Sequence, residues 1–568
     1  MNRRRRRIRL DRRTIVGLAS LAALTLGAGW WRATSIVNRL LRDWAVGVVA
    51  QQSAGVYRLD PIGVHVNWLF RRVMVDSFRL TTDRRVNTRQ PQPLANVRIG
   101  LSHCTISGVH VLTLVRGAGL IAASMGCAVG SVAVEAPRRV RDTTAVPVPT
   151  STPRQREGTG FLVLQQGLRL PSYAPRVQIT ELTFPALAFD FRLPLGRNGE
   201  TRLELERLQW HMVDVVIDPA DTRAASRPLF SRRIELVANN FVAHPESTAA
   251  VRVGMLRASL TDSTLEARGI GAELGPSLGH RHDVIKLAVG QALAQGIDFG
   301  AFASGLGARA RRIEVDSLGI DLTSDKRQPR HPGRRPNRTP QQWVADLDLA
   351  LRLDSVVVRN GEVIYREQAA GRTRPGVMTF ADIQATAVNV IHRIDRRMGR
   401  DTMSLAITAR LQHAAPLDIQ FAIPLDAPQF DMTFRGTLGA MPATALNPFV
   451  EEVYPLRIAH GQVTGISFGA GVSAGVARGW ITPRFTDLSV SVMRRGSGGI
   501  LGGGGILGGA ARGIASMMAN GQVRGNNPGR PTQPPFRGRI RYAFRPDQTL
   551  PAFLWAGVAG GLLQVVKQ

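Results

Sequence analysis

Apolar and polar residues alternate with a period of two in segment after segment of this chain. From Asp346 to Asp354, leucines occupy every second position and most residues between them are charged. The same alternation recurs at Ser404–Leu411, Asp418–Ile423, Phe430–Arg435 and Asp487–Val492. Such a pattern is typical of β-strands with one apolar and one solvated face. We therefore expect a mainly β protein with a few short helices.

A weak internal repeat accompanies the alternation. The segment RRVMVDSFRLTTDRR, from Arg71 to Arg85, reappears as RRIEVDSLGIDLTSDKR, from Arg311 to Arg327. In the second copy the apolar residues change from odd-numbered to even-numbered positions between Val315 and Leu318. This phase slip predicts a bulge or kink in that strand. Looser relatives begin at Arg176 and Leu351. Repeated strand units favour an extended, quasi-linear β array.

Helices and loops are predicted in only a few places. Val284–Gln295 has apolar residues at helical spacing, and AARGIASMMANG (residues 510–521) is helix-like after a glycine run. Three stretches rich in proline and arginine, Pro137–Gly158, Gln328–Gln341 and Asn526–Arg537, predict exposed linkers or long loops.

The N-terminus predicts the compartment. Residues 1–13 contain eight arginines and form a basic tail, residues 14–31 are uncharged and apolar, and residues 32–50 are amphipathic. This order predicts a single-pass inner-membrane anchor with a cytoplasmic N-terminus and the bulk of the chain in the periplasm. The alternative is a cleaved signal sequence, although Trp30 and Trp31 at the end of the apolar run suit a membrane interface.

The high positive charge does not favour a nucleic-acid partner. The formal net charge is +31, but the chain has only three lysines, and its arginines are scattered instead of forming one stripe. Aromatic residues make up 6% of the chain, too few to favour a base-stacking surface. In an exported protein, such a surface is better matched to anionic lipid headgroups or acidic polysaccharide.

Two cysteines, Cys104 and Cys127, lie in neighbouring strand-like segments. In an oxidising compartment they would pair in a disulfide. The alternative is two separately buried thiols. Without companion histidines they do not predict a metal site.

No catalytic, cofactor or metal site is predicted. Ser467 lies in a G-x-S-x-G pattern, but its surroundings read as a strand, whereas a nucleophile elbow needs a strand, a sharp turn and a helix. His280 and His282 have no further ligands nearby and predict an exposed loop. The carboxylates mostly alternate with apolar strand residues, and this pattern predicts that they lie on the solvated face of a sheet. We therefore do not expect an enzyme.

Several segments resemble the AsmA-like envelope proteins, a family related to TamB. They are the membrane-anchor region, Gly55–Asp83, Val356–Glu367, Thr379–Val390 and Ala445–Gly465. The resemblance implies a transmembrane helix followed by an extended, twisted, repeating β-sheet groove that is apolar inside. It also implies a role in outer-membrane biogenesis and in moving phospholipid between the two membranes.

On this basis we divide the rest of the chain into four parts. Residues 51–330 form a β-repeat region, 331–340 a linker or loop, and 341–549 a C-terminal AsmA-like β region. Residues 550–568 are apolar but short and glycine-rich, and proline opens the run. We expect this segment to dip into a membrane or to plug one end of the groove, with a second membrane span as the alternative.

The alternating strands supply candidate lipid-facing residues. A half-solvated sheet must close, pair or bind an apolar ligand, and phospholipid acyl chains are the expected ligand. Arg352 and Arg435 are candidate contacts for phosphate at the rim. The rival hypothesis is a self-packed β scaffold that binds outer-membrane or other envelope proteins. The candidate groove residues are Leu347, Leu349, Leu351, Leu353, Leu405, Ile407, Ile419, Phe421, Phe430 and Phe434.

Overall fold

The structure, a computed structural model, describes most of the strand-forming chain. The described residues are 42–43, 46–47, 49–50, 55–67, 71–88, 96–110, 113, 119–135, 176–195, 199–218, 230–246, 249–274, 283–299, 307–327, 338–345, 350–369, 372–392, 402–454, 456–492, 523–545 and 549–566. The predicted membrane anchor (14–31), the helix-like segment 510–521, and His280 and His282 lie outside them.

The protein is mainly β, as the alternation predicts. The strands are β1 (Tyr57–Asn67), β2 (Arg72–Thr82), β3 (Asn96–Ser107), β4 (Leu120–Glu135), β5 (Val177–Leu195), β6 (Gly199–Ile217), β7 (Arg233–Glu246), β8 (Ala249–Ser259), β9 (Thr264–Leu274), β10 (Asp283–Gln295), β11 (Ala308–Asp325), β12 (Leu351–Gln368), β13 (Gly376–His392), β14 (Thr402–Leu411), β15 (Ala415–Pro424), β16 (Met432–Leu438), β17 (Met441–Pro442), β18 (Leu456–Ser473), β19 (Val476–Val492) and β20 (Gly538–Ala543). All four segments of the predicted repeat are strands: β2, β5, β11 and β12.

Helices are few and short, as expected. In the described part of the chain they are α1 (Arg84–Asn87), α2 (Pro340–Ala345), α3 (Asn447–Val453), α4 (Leu550–Val566) and a 3-10 turn at Ala443–Leu446, with further helical residues between 42 and 50 and at 113 and 299. Among the described residues, none of the helices combines the length and the apolar character needed to cross a membrane.

The first of two compact units comprises Met1–Val146, Leu164–Arg192 and Arg207–Ile234. In it, β1 to β4 pair in antiparallel order and β5 joins β4 in parallel. Cys104 of β3 lies directly opposite Cys127 of β4, and the two form a disulfide. Both are buried beside Leu101 and Leu187. The sequence left open a disulfide or two separately buried thiols, and the structure contains the disulfide.

The second unit comprises Pro147–Val163, Leu193–Glu206 and Glu235–Gln568. Strands β7 to β16 pair in chain order, followed by β18, β19 and β20, and the short β17 also pairs with β18. Only the β11–β12 pair among them is parallel. Every other described neighbour in this unit is antiparallel.

A line of left-handed residues crosses the strands of the second unit. Asn240 on β7, Gly269 on β9, Ser317 on β11 and Asn360 on β12 have φ values of 55°, 62°, 58° and 53°. The flanking register places Gly254 of β8 and Gly290 of β10 on the same line. The phase slip predicted after Val315 is therefore confirmed, and Ser317 is its cause.

These left-handed residues keep the apolar side chains on one face. On β11, odd-numbered Ile313 and Val315 precede the slip, and even-numbered Leu318 and Ile320 follow it. Because side chains alternate with a period of two, a regular strand would point one of these halves to the opposite face. The left-handed residue restores the original face, as in a β-bulge.

The predicted helix at Val284–Gln295 is wrong, because this segment is β10. On its apolar face, Leu287 and Val289 precede Gly290, and Ala292 and Ala294 follow it. The slip at Gly290 leaves a spacing of three between Val289 and Ala292. A kinked strand thus imitates helical periodicity.

The loop predicted at Asn526–Arg537 contains no strand, but it is firmly attached to β19. Asn527 is 1% exposed. Its side chain donates to the carbonyl oxygens of Pro483 and Phe536 and accepts from the backbone N–H of Phe536 at 2.7 Å. The backbone of Asn527 also pairs with Phe485.

Substitution of Ser317 tests the role of the left-handed line. Ser317→Val is expected to destabilise the second unit by about 1–2 kcal/mol, because a β-branched residue is strained at positive φ. Ser317→Gly also removes the hydroxyl but tolerates that φ, so it serves as the matched control. The midpoint of urea denaturation should fall for the valine variant only. Equal midpoints for both variants would contradict this role.

Loss of the disulfide is expected to destabilise the first unit. The bridge closes a loop with a sequence separation of 23, which corresponds to about 3 kcal/mol in the chain-entropy description. The variant Cys104→Ser/Cys127→Ser should therefore melt at lower temperature than the oxidised protein. Adding a reductant should lower the melting temperature of the native chain and leave that of the variant unchanged. A reductant effect on the variant would show that another process is being measured.

Candidate functional site

Two rows of directly opposed residues run across thirteen strands of the second unit, β7 to β16 and β18 to β20. None of their positions is polar. The first row is Leu236, Ala258, Leu265, Ala294, Ile313, Val356, Ala387, Leu405, Phe421, Phe434, Ala470, Gly479 and Ile540. The second is Ala238, Leu256, Ala267, Ala292, Val315, Val358, Ala385, Ile407, Ile419, Gly436, Phe468, Ile481 and Gly538. We call the surface that these rows define the apolar face.

Five of the candidate groove residues lie in these rows. Leu405, Phe421 and Phe434 belong to the first row, and Ile407 and Ile419 belong to the second. The period-two alternation therefore placed these five residues on a common face of neighbouring strands.

The other candidates have different positions. Leu353 lies opposite Val390, which packs against the core near the C-terminus, and Leu351 lies opposite His392. Phe430 precedes β16 and is buried in that core, 8% exposed. Leu347 and Leu349 lie outside the described residues.

Sequence reasoning missed the apolar face of β7 to β11. Its members there are mostly alanine, valine and leucine, and their alternation changes phase at the left-handed residues. A period-two search that allowed one slip at Gly, Asn or Ser would have found these rows.

Helix α4 covers the apolar face at β19 and β20. Phe553 is 1% exposed and packs with Ile481, Ile540 and Phe430 in one core cluster. Its ring centroid lies 5.5 Å from that of Phe430 and 5.6 Å from that of Phe544. Burying a side chain of this size contributes about 2–3 kcal/mol. The described part of the C-terminal segment thus packs on the sheet.

Helix α3 covers another part of the sheet, at the ends of β12 and β13. Phe449 is buried against Met378 and Leu438, and Tyr365 and Phe380 pack beside them. In both covered regions the apolar side chains form an ordinary protein core.

Polar groups link the two helices. Tyr365 donates its hydroxyl to Oε2 of the buried Glu367 at 2.6 Å. Burial raises the pKa of Tyr454, the charge of Glu367 raises this pKa further, and a side-chain hydrogen bond with Trp555 of α4 partly offsets the rise. Tyr454 therefore remains a neutral phenol across the physiological pH range. The hydrogen bond between Tyr365 and Glu367 lies within β12, and the contact between Tyr454 and Trp555 joins the end of α3 to α4.

In the part of the chain that the structure describes, no element covers the apolar face between β8 and β14. None of the row residues on these strands belongs to the clusters that α3 and α4 pack against. Within the described part of the chain, β8 to β11 make substantial contacts only with the strands beside them. Leu265, Ile313 and Leu405 are accordingly only half-buried. This stretch is our candidate site.

The opposite face is polar, and several of its charges are paired. Arg268–Glu266, Arg312–Glu314 and Arg352–Asp354 are ion pairs between residues two apart on one strand. Arg435 donates two hydrogen bonds to Oε1 of Gln420, at 2.9 and 2.7 Å. The structure thus places Arg352 and Arg435 on the polar face, because they alternate with apolar neighbours. They do not line the apolar face.

The described residues contain no group of three or more side chains suited to a metal ion. Ser467 is a residue of β18, opposite Thr437 and Thr482, which confirms the strand interpretation of the G-x-S-x-G pattern. The buried pair of His392 Nδ1 and Asp426 Oδ1, 3.0 Å apart, ties the end of β13 to the turn after β15.

Comparison with known proteins adds no family to this description. No protein-family model matches the chain, and no curated protein is significantly similar to it in sequence.

Two adjacent glycines of α4 offer a test of the covered region. A Cβ at Gly561 would lie 2.6 Å from Cγ2 of Ile481, whereas a Cβ at Gly560 would meet nothing within 4 Å. Gly561→Leu is therefore expected to displace α4 and expose the core, while Gly560→Leu leaves it in place. Both changes add the same side chain to the same helix.

The measurement is hydrogen exchange over residues 550–566 together with binding of a dye that reports exposed apolar surface. We expect faster exchange and more dye bound for Gly561→Leu only. Unchanged exchange in that variant would mean that the helix is not held by this contact.

Proposed function

We propose that this protein is an AsmA-like envelope protein whose apolar face binds phospholipid acyl chains between β8 and β14. The observation that carries the proposal is the pair of uninterrupted apolar rows, which no described element covers on these strands. A large apolar surface without a protein partner favours an apolar ligand. The proposed role is binding or conduction of phospholipid in outer-membrane biogenesis.

The dimensions suit an acyl chain. Strands lie about 4.8 Å apart, so seven strands from β8 to β14 extend along the rows for roughly 29 Å. The hydrocarbon core of a bilayer is about 30 Å thick, so one acyl chain reaches about half of that distance. The uncovered rows are thus long enough for at least one chain lying across the strands.

The energetics suit transfer more than storage. Burying an acyl chain contributes roughly 0.8 kcal/mol per methylene, and the chain loses the same amount when it leaves a bilayer. Exchange between a membrane and the apolar face is therefore close to neutral overall. A continuous row of similar apolar side chains also presents no polar barrier to movement along it.

The location in our proposal rests on the sequence. The arginine-rich tail, the apolar run 14–31 and the basic composition support an inner-membrane anchor with the β region in the periplasm. The proposed role is one of binding, without catalysis or a cofactor.

The alternative is a self-packed β scaffold that binds envelope proteins. The covering of β19 and β20 by α4 favours it, because there the apolar side chains pack on protein. The scaffold requires the stretch from β8 to β14 to be occupied by a protein segment.

Photo-crosslinking in cells tests the proposal on a single strand. Photoreactive residues at Leu405 and Ile407 lie on the apolar face, whereas the exposed Ala406 and Thr408 point to the polar face. We expect mass spectrometry to find phospholipid adducts at 405 and 407, because their side chains contact the bound chains. The same strand provides the control at 406 and 408.

Three outcomes are informative. Phospholipid adducts confined to 405 and 407 support the proposal. Protein adducts at these positions would favour the scaffold. Equal lipid labelling at all four positions would indicate non-specific membrane contact and would contradict binding on one face.

A further inference from the structure

The polar face of the last two strands carries a cluster of arginines. Arg478 of β19 lies directly opposite Arg541 of β20, and Trp480 lies opposite Arg539. Arg537 donates to Thr482 Oγ1 at 3.3 Å, and its guanidinium lies 4.6 Å from the ring centroid of Trp480. We call Arg478, Trp480, Arg537, Arg539 and Arg541 the arginine patch.

The arginine patch lacks the charge pairing found at several other positions of the polar face. In Arg268–Glu266 and Arg352–Asp354, an exposed arginine pairs with a carboxylate two residues away. Two residues from Arg539, on either side, are Arg537 and Arg541. Within the described residues, none of the four arginines forms an ion pair with a carboxylate.

Such an arrangement is unfavourable in the isolated protein. Directly opposed residues of an antiparallel pair have Cβ atoms about 5 Å apart, and like charges at this distance destabilise a sheet. Residues two apart on a strand are separated by about 7 Å. Four positive charges thus occupy an area only two strands wide, and a bound polyanion would relieve their repulsion.

The side chains of the arginine patch are suited to bind phosphate groups on a membrane surface. Arginine forks bind phosphate oxygens in a bidentate manner, and tryptophan is enriched at membrane–water interfaces. The guanidinium of Arg537 covers one face of Trp480, and the guanidinium of Arg524 lies 3.9 Å from the ring centroid of Phe536. These stacked cations occupy the ring faces that base stacking requires, which disfavours single-stranded nucleic acid.

We propose that the arginine patch docks this end of the second unit onto an anionic phospholipid surface. Buried Asn527 attaches the loop that leads to Arg537 to β19, so the backbone before Arg537 is fixed in the unbound protein. The patch lies on the face opposite α4 and the apolar rows. The docking therefore does not depend on acyl-chain binding by the apolar face.

Vesicle capture by the full chain tests the proposal. The chain is placed in nanodiscs of phosphatidylcholine, immobilised on beads and offered fluorescent vesicles of phosphatidylcholine with or without phosphatidylglycerol. We expect capture of the anionic vesicles only. The variant Arg478→Gln/Arg539→Gln/Arg541→Gln should lower their apparent affinity about 100-fold, at about 1 kcal/mol per arginine near the surface.

The matched control is Arg252→Gln/Arg257→Gln/Arg309→Gln, which removes the same charge from exposed positions on β8 and β11. It should retain the affinity of the native chain. If the triple patch variant does not fold, single changes at Arg539 and Arg541 should each lower the affinity about fivefold.

Three results would overturn the proposal. One is an unchanged vesicle affinity of the patch variants. Another is an equal loss of affinity in the control variant, which would mean that binding depends only on the overall charge. The third is binding of single-stranded DNA with the same dependence on the three arginines. Lipid crosslinking at Leu405 is expected to persist in the patch variant, so failure of docking and failure of acyl-chain binding are separate results.

Discussion

The hydrogen-bonded register of the second unit, with its line of left-handed residues, is the constraint on which the rest of the structure depends. Directly opposed residues share a face, so each strand must present apolar side chains at matching positions. The slips at Gly269, Ser317 and Asn360 make this possible on both sides of the line. Without them, half of each of these strands would turn its apolar side chains to the polar face. The continuity of the apolar face follows from this register.

The same face has two different environments. At β19 and β20 it is covered by α4, and Phe553 completes a closed core. Between β8 and β14 the row residues are alanines, valines, leucines and isoleucines that no described helix covers, and most of these side chains remain half-buried. A protein that only needed stability would gain from covering this surface too. This difference is the basis of the proposed acyl-chain binding between β8 and β14.

The two faces of the last strands divide two proposed roles between them. Ile481 and Ile540 belong to the apolar core, while Trp480 and Arg539, the residues directly before them, belong to the arginine patch. Strand alternation places the two surfaces back to back. Membrane attachment at the patch would therefore leave the apolar face unobstructed.

The sequence by itself determined the mainly β class, the alternating faces of β14, β15 and β16, and the kink after Val315, because these depend on local periodicity. It left the pairing of Cys104 with Cys127 open, and it misread β10 as a helix because a slip at Gly290 mimics helical spacing. Only the tertiary structure decided which residues stand opposite one another across thirteen strands, since register is a relation between distant segments. For the same reason, the covering of one end by α4 and the meeting of Arg478 with Arg541 could not be read from the sequence.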